Sequence, residues 1–300
     1  MNATRHSVAV IGLGSMGMGA ARSCIRAGLS TYGVDINSNA LQSLREAGAK
    51  GVAQDCADFA SALDSVLLLV VNAEQCRKIL FGNGLAEQLR SGTAVMVSAT
   101  MSVEDAKDIA SCLQEKQLIV LDAPVSGGAA KAEMGEMTVM AAGSDEAFEK
   151  LIPVLDATAS SVYRIGTEIG MGATVKIIHQ LLAGVHIAVG AEAMAMAAKA
   201  GISLDMMYEV VTNAAGTSWM FENRMKHVVD GDYTPRSMVD IFVKDMGLVT
   251  DAAQSLKFPL YLGSAAYQMF TAASNDGYGQ EDDSAVIKIF RGVDLPGKVG

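Results

Sequence analysis

The run Gly12-Leu13-Gly14-Ser15-Met16-Gly17 follows an apolar stretch and opens a segment of helical pattern. Three glycines at that spacing suit a pyrophosphate. Gly12 permits a tight turn, Gly14 lets the backbone approach the ligand, and Gly17 allows close packing of helix on strand. A helix beginning at Ser15 and Met16 would point free N–H groups and its positive end at the phosphates. A second apolar run ends in Val34-Asp35, 18 residues beyond Gly17. That is the place for a carboxylate accepting hydrogen bonds from the hydroxyls of an adenosine ribose. A carboxylate there repels a ribose 2′-phosphate, and Ile36-Asn37-Ser38-Asn39 offers no arginine to receive one. The expected cofactor is therefore NAD rather than NADP. Taken alone, Asp35 is also compatible with a helix N-cap or turn residue.

Two further constellations carry polar chemistry. Asp122-Ala123-Pro124-Val125-Ser126-Gly127-Gly128 follows another apolar run. Its consecutive glycines could expose backbone N–H groups as a nest for a carboxylate, with the Ser126 hydroxyl as an added donor; an ordinary tight loop explains the same residues. In Gly172-Ala173-Thr174-Val175-Lys176-Ile177-Ile178-His179-Gln180, Lys176, His179 and Gln180 stand at i, i+3 and i+4 and share one helix face. A lysine on an otherwise apolar helix either snorkels to the surface or is partly desolvated, and a desolvated lysine can serve as a general acid–base. His179 on the same face is equally readable as a packed, satisfied histidine. No His, Asp or Glu cluster has metal-ligand spacing, so no metal is expected.

These groups need elements to hold them. Up to about residue 164 the sequence alternates β-type runs (7–12, 30–34, 66–71, 94–98, 118–122 and 137–142) with helical segments (16–27, 39–47, 103–115 and 145–155). The β-type runs are continuously apolar rather than alternating, as in parallel strands covered on both faces. The reading is a doubly wound, Rossmann-type α/β domain over residues 1–165. Beyond it only helical patterns occur, at 173–200, 204–214, 238–256 and 259–273, with a last segment near 282–290. The expected second part is an all-α domain over 166–292, entered through a long interdomain helix, with a loose tail at 293–300.

Composition removes several alternatives. Half of the 300 residues are hydrophobic, so the chain can bury a core and is not disordered. A net charge of −10, with no run of five like charges, excludes a nucleic-acid binder. Cys24, Cys56, Cys76 and Cys112 include no CxxC pair and read as buried small hydrophobes in a reducing compartment. The N-terminal residues show no signal-peptide pattern, and the apolar segment 175–200 carries Lys176, His179, Gln180, His186, Glu192 and Lys199. Both features point to a cytoplasmic protein with no membrane partner.

In this order and over nearly the whole chain, the motifs resemble the β-hydroxyacid dehydrogenase family, which includes 3-hydroxyisobutyrate dehydrogenase, tartronate semialdehyde reductase and, more distantly, 6-phosphogluconate dehydrogenase. A fourth motif of that family matches Lys244-Asp245. The resemblance implies a small hydroxy-acid substrate, Lys176 as catalytic acid–base, and Ser126, Gly127 and Gly128 as holders of the substrate carboxylate. It also implies that Thr100, Val71, Asn72 and Lys244 lie along the cofactor, that the site lies in a cleft between the domains, and that the chain forms a homodimer or homotetramer. The family commonly has asparagines where His179 and Gln180 stand, which shifts the expected substrate more than the reaction; both are expected to bind it. The stretch from Asn213 to Arg224, with Ser218, Trp219 and Phe221, resembles the branch that oxidises L-threonate at C2. Core packing is the other reading of Trp219 and Phe221.

Overall fold

Successive side chains of a strand point to opposite faces, so a continuously apolar strand must be covered twice. In the computed structural model, which describes residues 6–297, β1 (Ser7–Ile11), β2 (Ser30–Val34), β3 (Gly51–Ala53), β4 (Ser65–Leu68), β5 (Ala94–Val97) and β6 (Ile119–Asp122) form a parallel sheet. Its spatial order is β3-β2-β1-β4-β5-β6. Ala9, Ile11, Val66, Leu68, Val95 and Val97 enter one apolar core, while Val8, Val10, Leu67, Ala94 and Met96, from the same strands, enter the other.

Helices α1 (Gly17–Arg26), α2 (Ser38–Glu46), α3 (Ala73–Arg77), α4 (Leu85–Gln88), α5 (Val103–Glu115), α6 (Gly128–Met134) and α7 (Asp145–Thr158) complete the first unit. Ile109 and Leu113 of α5 fill the first core; Ala20 and Ala21 of α1, with Leu151 and Val154 of α7, fill the second. The strand order reverses between β1 and β4, so their C-terminal ends border the crevice where doubly wound sheets bind ligands. Beyond β6, β7 (Val125–Ser126) and β8 (Met137–Gly143) pair antiparallel, and β9 (Ala159–Gly166) runs parallel to β8. The doubly wound α/β fold is as expected, and three strands are additional. β3 and β7 are two to three residues long, and β9 is a largely exposed strand whose polar residues hide its pattern. β4 stops at Leu68, leaving Val70 and Val71 to the following loop.

The helical part comprises α8 (Met171–Lys199), α9 (Leu204–Thr212), α10 (Trp219–Asp230), α11 (Val239–Ser255) and α12 (Tyr261–Ala273), followed by a 3-10 segment, Asp283–Ile289. By contact the chain forms two compact units that divide between Lys176 and Ile177, and the first turn of α8 is bonded to β6. Within the second unit α8 and α11 approach closely: a Cβ on Gly184 would stand 2.4 Å from Met246 Sδ. Phe242 of α11 stacks on Phe270 of α12 at 5.1 Å between ring centroids. α8 is long and apolar enough to cross a membrane by length and composition, and half of its most apolar window is buried within the protein. Leu295 and Pro296, expected in a loose tail, line a cavity with Gly231 and Tyr233; residues 298–300 of that tail, and residues 1–5, lie outside the described residues.

A buried polar cluster ties the last segment to α10. Asp282 Oδ1 faces His227 Nδ1 at 2.9 Å and accepts from Ser284 Oγ at 2.7 Å, and Oδ2 accepts from Arg236 N at 3.1 Å. Burial pushes the Asp282 carboxyl up, but these hydrogen bonds outweigh it and hold the group at about 2. A depressed carboxyl contributes stability above its unfolded pKa and loses it as pH falls through the folded value. The Asp282→Asn variant is therefore expected to be less stable than the wild type at neutral pH by about 2 kcal/mol. That gap should close between about pH 4 and pH 2, which chemical denaturation across that range would test.

Candidate active site

The turn between β1 and α1 is built by contacts only glycine tolerates. Gly12 has a φ of +89°, and a Cβ on Gly17 would stand 1.7 Å from the Gly12 carbonyl oxygen. Nothing lies within 4 Å of a Cβ position on Gly14, which leaves that backbone open to a ligand. Leu13 points into the core, Ser15 is exposed and Met16 is half-buried. α1 begins at Met16 with no side-chain cap and no acidic residue in its first turn, so its leading N–H groups and positive end suit an anion.

Asp35, just beyond β2, is fixed in this same turn. Its Oδ2 accepts from Leu13 N at 2.6 Å and its Oδ1 from Asn37 N at 2.8 Å. The N-cap of α2 is Asn37, whose side chain accepts from Asn39 N and Ala40 N; Asp35 is held for something else. Gly12, Gly14, Asp35, Ile36 and Val71 line a cavity of about 660 Å³. Ile36, an apolar side chain next to the carboxylate, is 87% exposed. An open glycine backbone, an uncapped helix end, an oriented carboxylate and an exposed apolar surface fit the phosphates, ribose and base of a dinucleotide. The backbone N–H of Val71 donates to Gln75 Oε1 at 2.9 Å, and Asn72 caps α3 by accepting from Gln75 N at 2.9 Å. Thr100 is half-buried in the loop after β5. Neither Thr100 nor Asn72 is among the residues lining the cavity.

At the far end of β6, Asp122 is 4% exposed. Its Oδ2 accepts from Gly170 N at 2.8 Å and Ala173 N at 3.1 Å, where α8 begins. Burial pushes this carboxyl up, opposed by the backbone N–H groups of Ala173, Gly170 and Gly172. Lys176, 7% exposed, stands on α8 just beyond this anchor. Ser126, Gly127 and Gly128 form the turn from β7 into α6, with φ of +132° at Gly127 and +70° at Gly128. Such a turn presents N–H groups on one side.

Within the second unit His179, Gln180, Lys244 and Asp245 come together. Gln180 Nε2 donates to Asp245 Oδ2 at 2.5 Å, His179 Nδ1 lies 3.0 Å from Gln180 Oε1, and Lys244 Nζ lies 2.8 Å from Asp245 Oδ1. Ser218 acts as the N-cap of α10, accepting from Phe221 N at 3.1 Å. Phe221 is core, but Trp219 is 52% exposed, so only one of the two aromatics follows the packing reading. Asp122, Gln75 and Asp245 are positioning groups that residue spacing did not mark. Asp122 and Asp245 do stand in motifs of the sequence, Asp122 at the end of an apolar run and Asp245 beside Lys244.

Two family models match successive parts of the chain. Residues 7–166 match the family described as the NAD binding domain of 6-phosphogluconate dehydrogenase, and residues 170–290 the NAD-binding domain of NADP-dependent 3-hydroxyisobutyrate dehydrogenase. The chain is 71% identical over 299 residues to L-threonate dehydrogenase of Haemophilus influenzae, covering 99% of each chain. It is 68% identical over 291 residues to L-threonate dehydrogenase of Escherichia coli K12, covering 97% of this chain and 96% of the other. A crystal structure titled 3-hydroxyisobutyrate dehydrogenase, from Salmonella typhimurium, superposes with a TM-score of 0.92 at 64% identity, covering 95% of this chain and 99% of that one.

Replacing Asp122 with alanine leaves the buried N–H groups of Gly170 and Ala173 without their acceptor. The expected loss is about 2–3 kcal/mol of stability, seen as a lower urea midpoint at unchanged m-value.

Proposed function

The chain belongs to the β-hydroxyacid dehydrogenase family, that of 3-hydroxyisobutyrate dehydrogenase, and is an NAD-dependent hydroxyacid dehydrogenase; from that premise we propose that it oxidises L-threonate at C2 to 2-dehydro-L-erythronate. The observation that carries this reading is the identity of about 70% along nearly the whole length of enzymes named for that substrate. His179 and Gln180, two polar side chains on an apolar helix, support it, because a polyhydroxylated acid has hydroxyls for them to bind.

The residues divide the work as follows. The turn from Gly12 to Gly17, with Leu13, Ser15 and Met16 between the glycines, holds the pyrophosphate, and Asp35 receives the adenosine ribose. Val71, Asn72, Thr100 and Lys244 complete the cofactor contacts. Bound NAD supplies the hydride acceptor. The N–H groups of Gly127 and Gly128 and the Ser126 hydroxyl hold the substrate carboxylate, fixing which carbon reacts. Lys176 takes the proton of the C2 hydroxyl as the C–H bond at C2 breaks, leaving a carbonyl there. His179 and Gln180 bind the remaining hydroxyls. Ile178, Leu182, Val189 and Met196 are all more than half exposed along one side of α8. A stripe of large exposed apolar residues supports work as a homodimer or homotetramer, and the family's metabolic role supports a cytoplasmic location.

The titled Salmonella structure favours a second reading, oxidation of 3-hydroxyisobutyrate. Turnover of L-threonate and 3-hydroxyisobutyrate with NAD, beside tartronate semialdehyde with NADH, separates the candidates. L-Threonate is expected to give the highest kcat/KM; NADH formation from 3-hydroxyisobutyrate alone would reject it. Replacing Lys176 with alanine is expected to lower kcat by about 10²- to 10⁴-fold, with NAD affinity by calorimetry nearly unchanged. A variant that turned over like the wild type would remove Lys176 from the chemistry.

A further inference from the structure

Gln75, on α3, closes a reciprocal pair of bonds around the loop that follows β4. Its backbone N–H donates to Asn72 Oδ1 at 2.9 Å, and its side-chain Oε1 accepts from Val71 N at 2.9 Å. A backbone N–H only donates, so the amide must turn its oxygen to Val71 and its NH2 away from it. That NH2 has no partner among the described residues. Gln75 is exposed and lines the same cavity as Gly12, Gly14 and Asp35. The described lining of this cavity carries two acids, Asp35 and Asp55, and one base, Lys78. A pyrophosphate there depends on neutral N–H donors. The loop that Gln75 fastens also packs on the glycine turn. A Cβ on Gly12 would stand 2.7 Å from the Leu69 carbonyl oxygen and 3.0 Å from Val70 Cγ1.

We infer that Gln75 is a cofactor-binding residue whose oxygen holds the loop after β4 and whose NH2 donates to a pyrophosphate oxygen of NAD. The inference rests on the reading of the glycine turn as the holder of the pyrophosphate. Both bonds around the loop form within the protein alone, so the donor is in place before the cofactor arrives and loses little rotamer freedom on binding. A role confined to capping α3 would use the amide oxygen and leave the NH2 without consequence.

Gln75→Glu separates the two roles. A glutamate keeps an oxygen for Val71 N, and an acid in the first turn suits the helix dipole, but it puts an acceptor where the donor stood. Gln75→Leu removes both functions. The measurements are NAD affinity of the full chain by titration calorimetry, affinity for adenosine (which has no phosphate) by ligand-observed NMR, and the thermal midpoint. In Gln75→Glu the Kd for NAD is expected to rise about 10- to 100-fold, with adenosine affinity and thermal midpoint kept. The deficit should narrow as salt screens carboxylate from phosphate. In Gln75→Leu the Kd should rise and the thermal midpoint fall together. A Gln75→Glu variant that bound NAD as tightly as the wild type would reduce Gln75 to a cap and overturn the inference. An equal loss for NAD and adenosine would overturn it too, by moving the contact to the adenosine. Gly14→Val tests the underlying reading by itself: unchanged NAD affinity there would strike the glycine turn as the pyrophosphate holder, whatever Gln75→Glu does.

Discussion

The long helix α8 starts on a buried carboxylate, and the placement of Lys176 follows from that one contact. Removing Asp122 from water is unfavourable, and its raised pKa records that cost. The return is geometric. Backbone N–H groups at the origin of α8 have no partners inside the helix, so a carboxylate fixed at the end of β6 satisfies them and complements the helix dipole. A strand end is among the most rigid places in a packed sheet. Pinning the helix there carries that rigidity to Lys176, the group proposed to take the proton.

The glycine turn obeys the same logic with the signs exchanged. At Asp122 an anion of the protein neutralises a helix end, whereas at α1 the helix end is left without a side-chain cap. Asp35 does not fill that vacancy. It is drawn aside by Leu13 N and Asn37 N, which leaves the first N–H groups of α1 for phosphate oxygens. The same tether orients its carboxylate, so that its remaining lone pairs can meet ribose hydroxyls without first losing rotational freedom. The net charge of −10 is thus compatible with an anionic cofactor and an anionic substrate, because backbone dipoles and individual lysines set the local field.

What was legible in the sequence was whatever is encoded within a few residues. β1 and its glycine turn follow from contiguous residue types, and α5 occupies the expected residues 103–115, with Ser102 as its cap and acids in its first turn. β9 escaped because an exposed strand need not be apolar. The candidate site divides along the same line. Lys176, His179 and Gln180 could be placed on one helix face from their spacing. The bond between Gln180 and Asp245 spans 65 residues of sequence, and no local pattern announces it.

That division bears on how substrate choice can vary in a fold of this kind. The glycine turn and the start of α8 are constrained by close backbone approach: a Cβ on Gly17 would meet the Gly12 carbonyl, and one on Gly172 the Asp122 carbonyl. Gln180 is held from a neighbouring helix by its hydrogen bond to Asp245. On the proposed reading of the site, a change of amide length there alters which hydroxyl pattern is accepted while Lys176, one helical turn away, keeps its anchor. The start of α8 is thus held by backbone N–H groups on a buried carboxylate, and Gln180 by a bond between side chains.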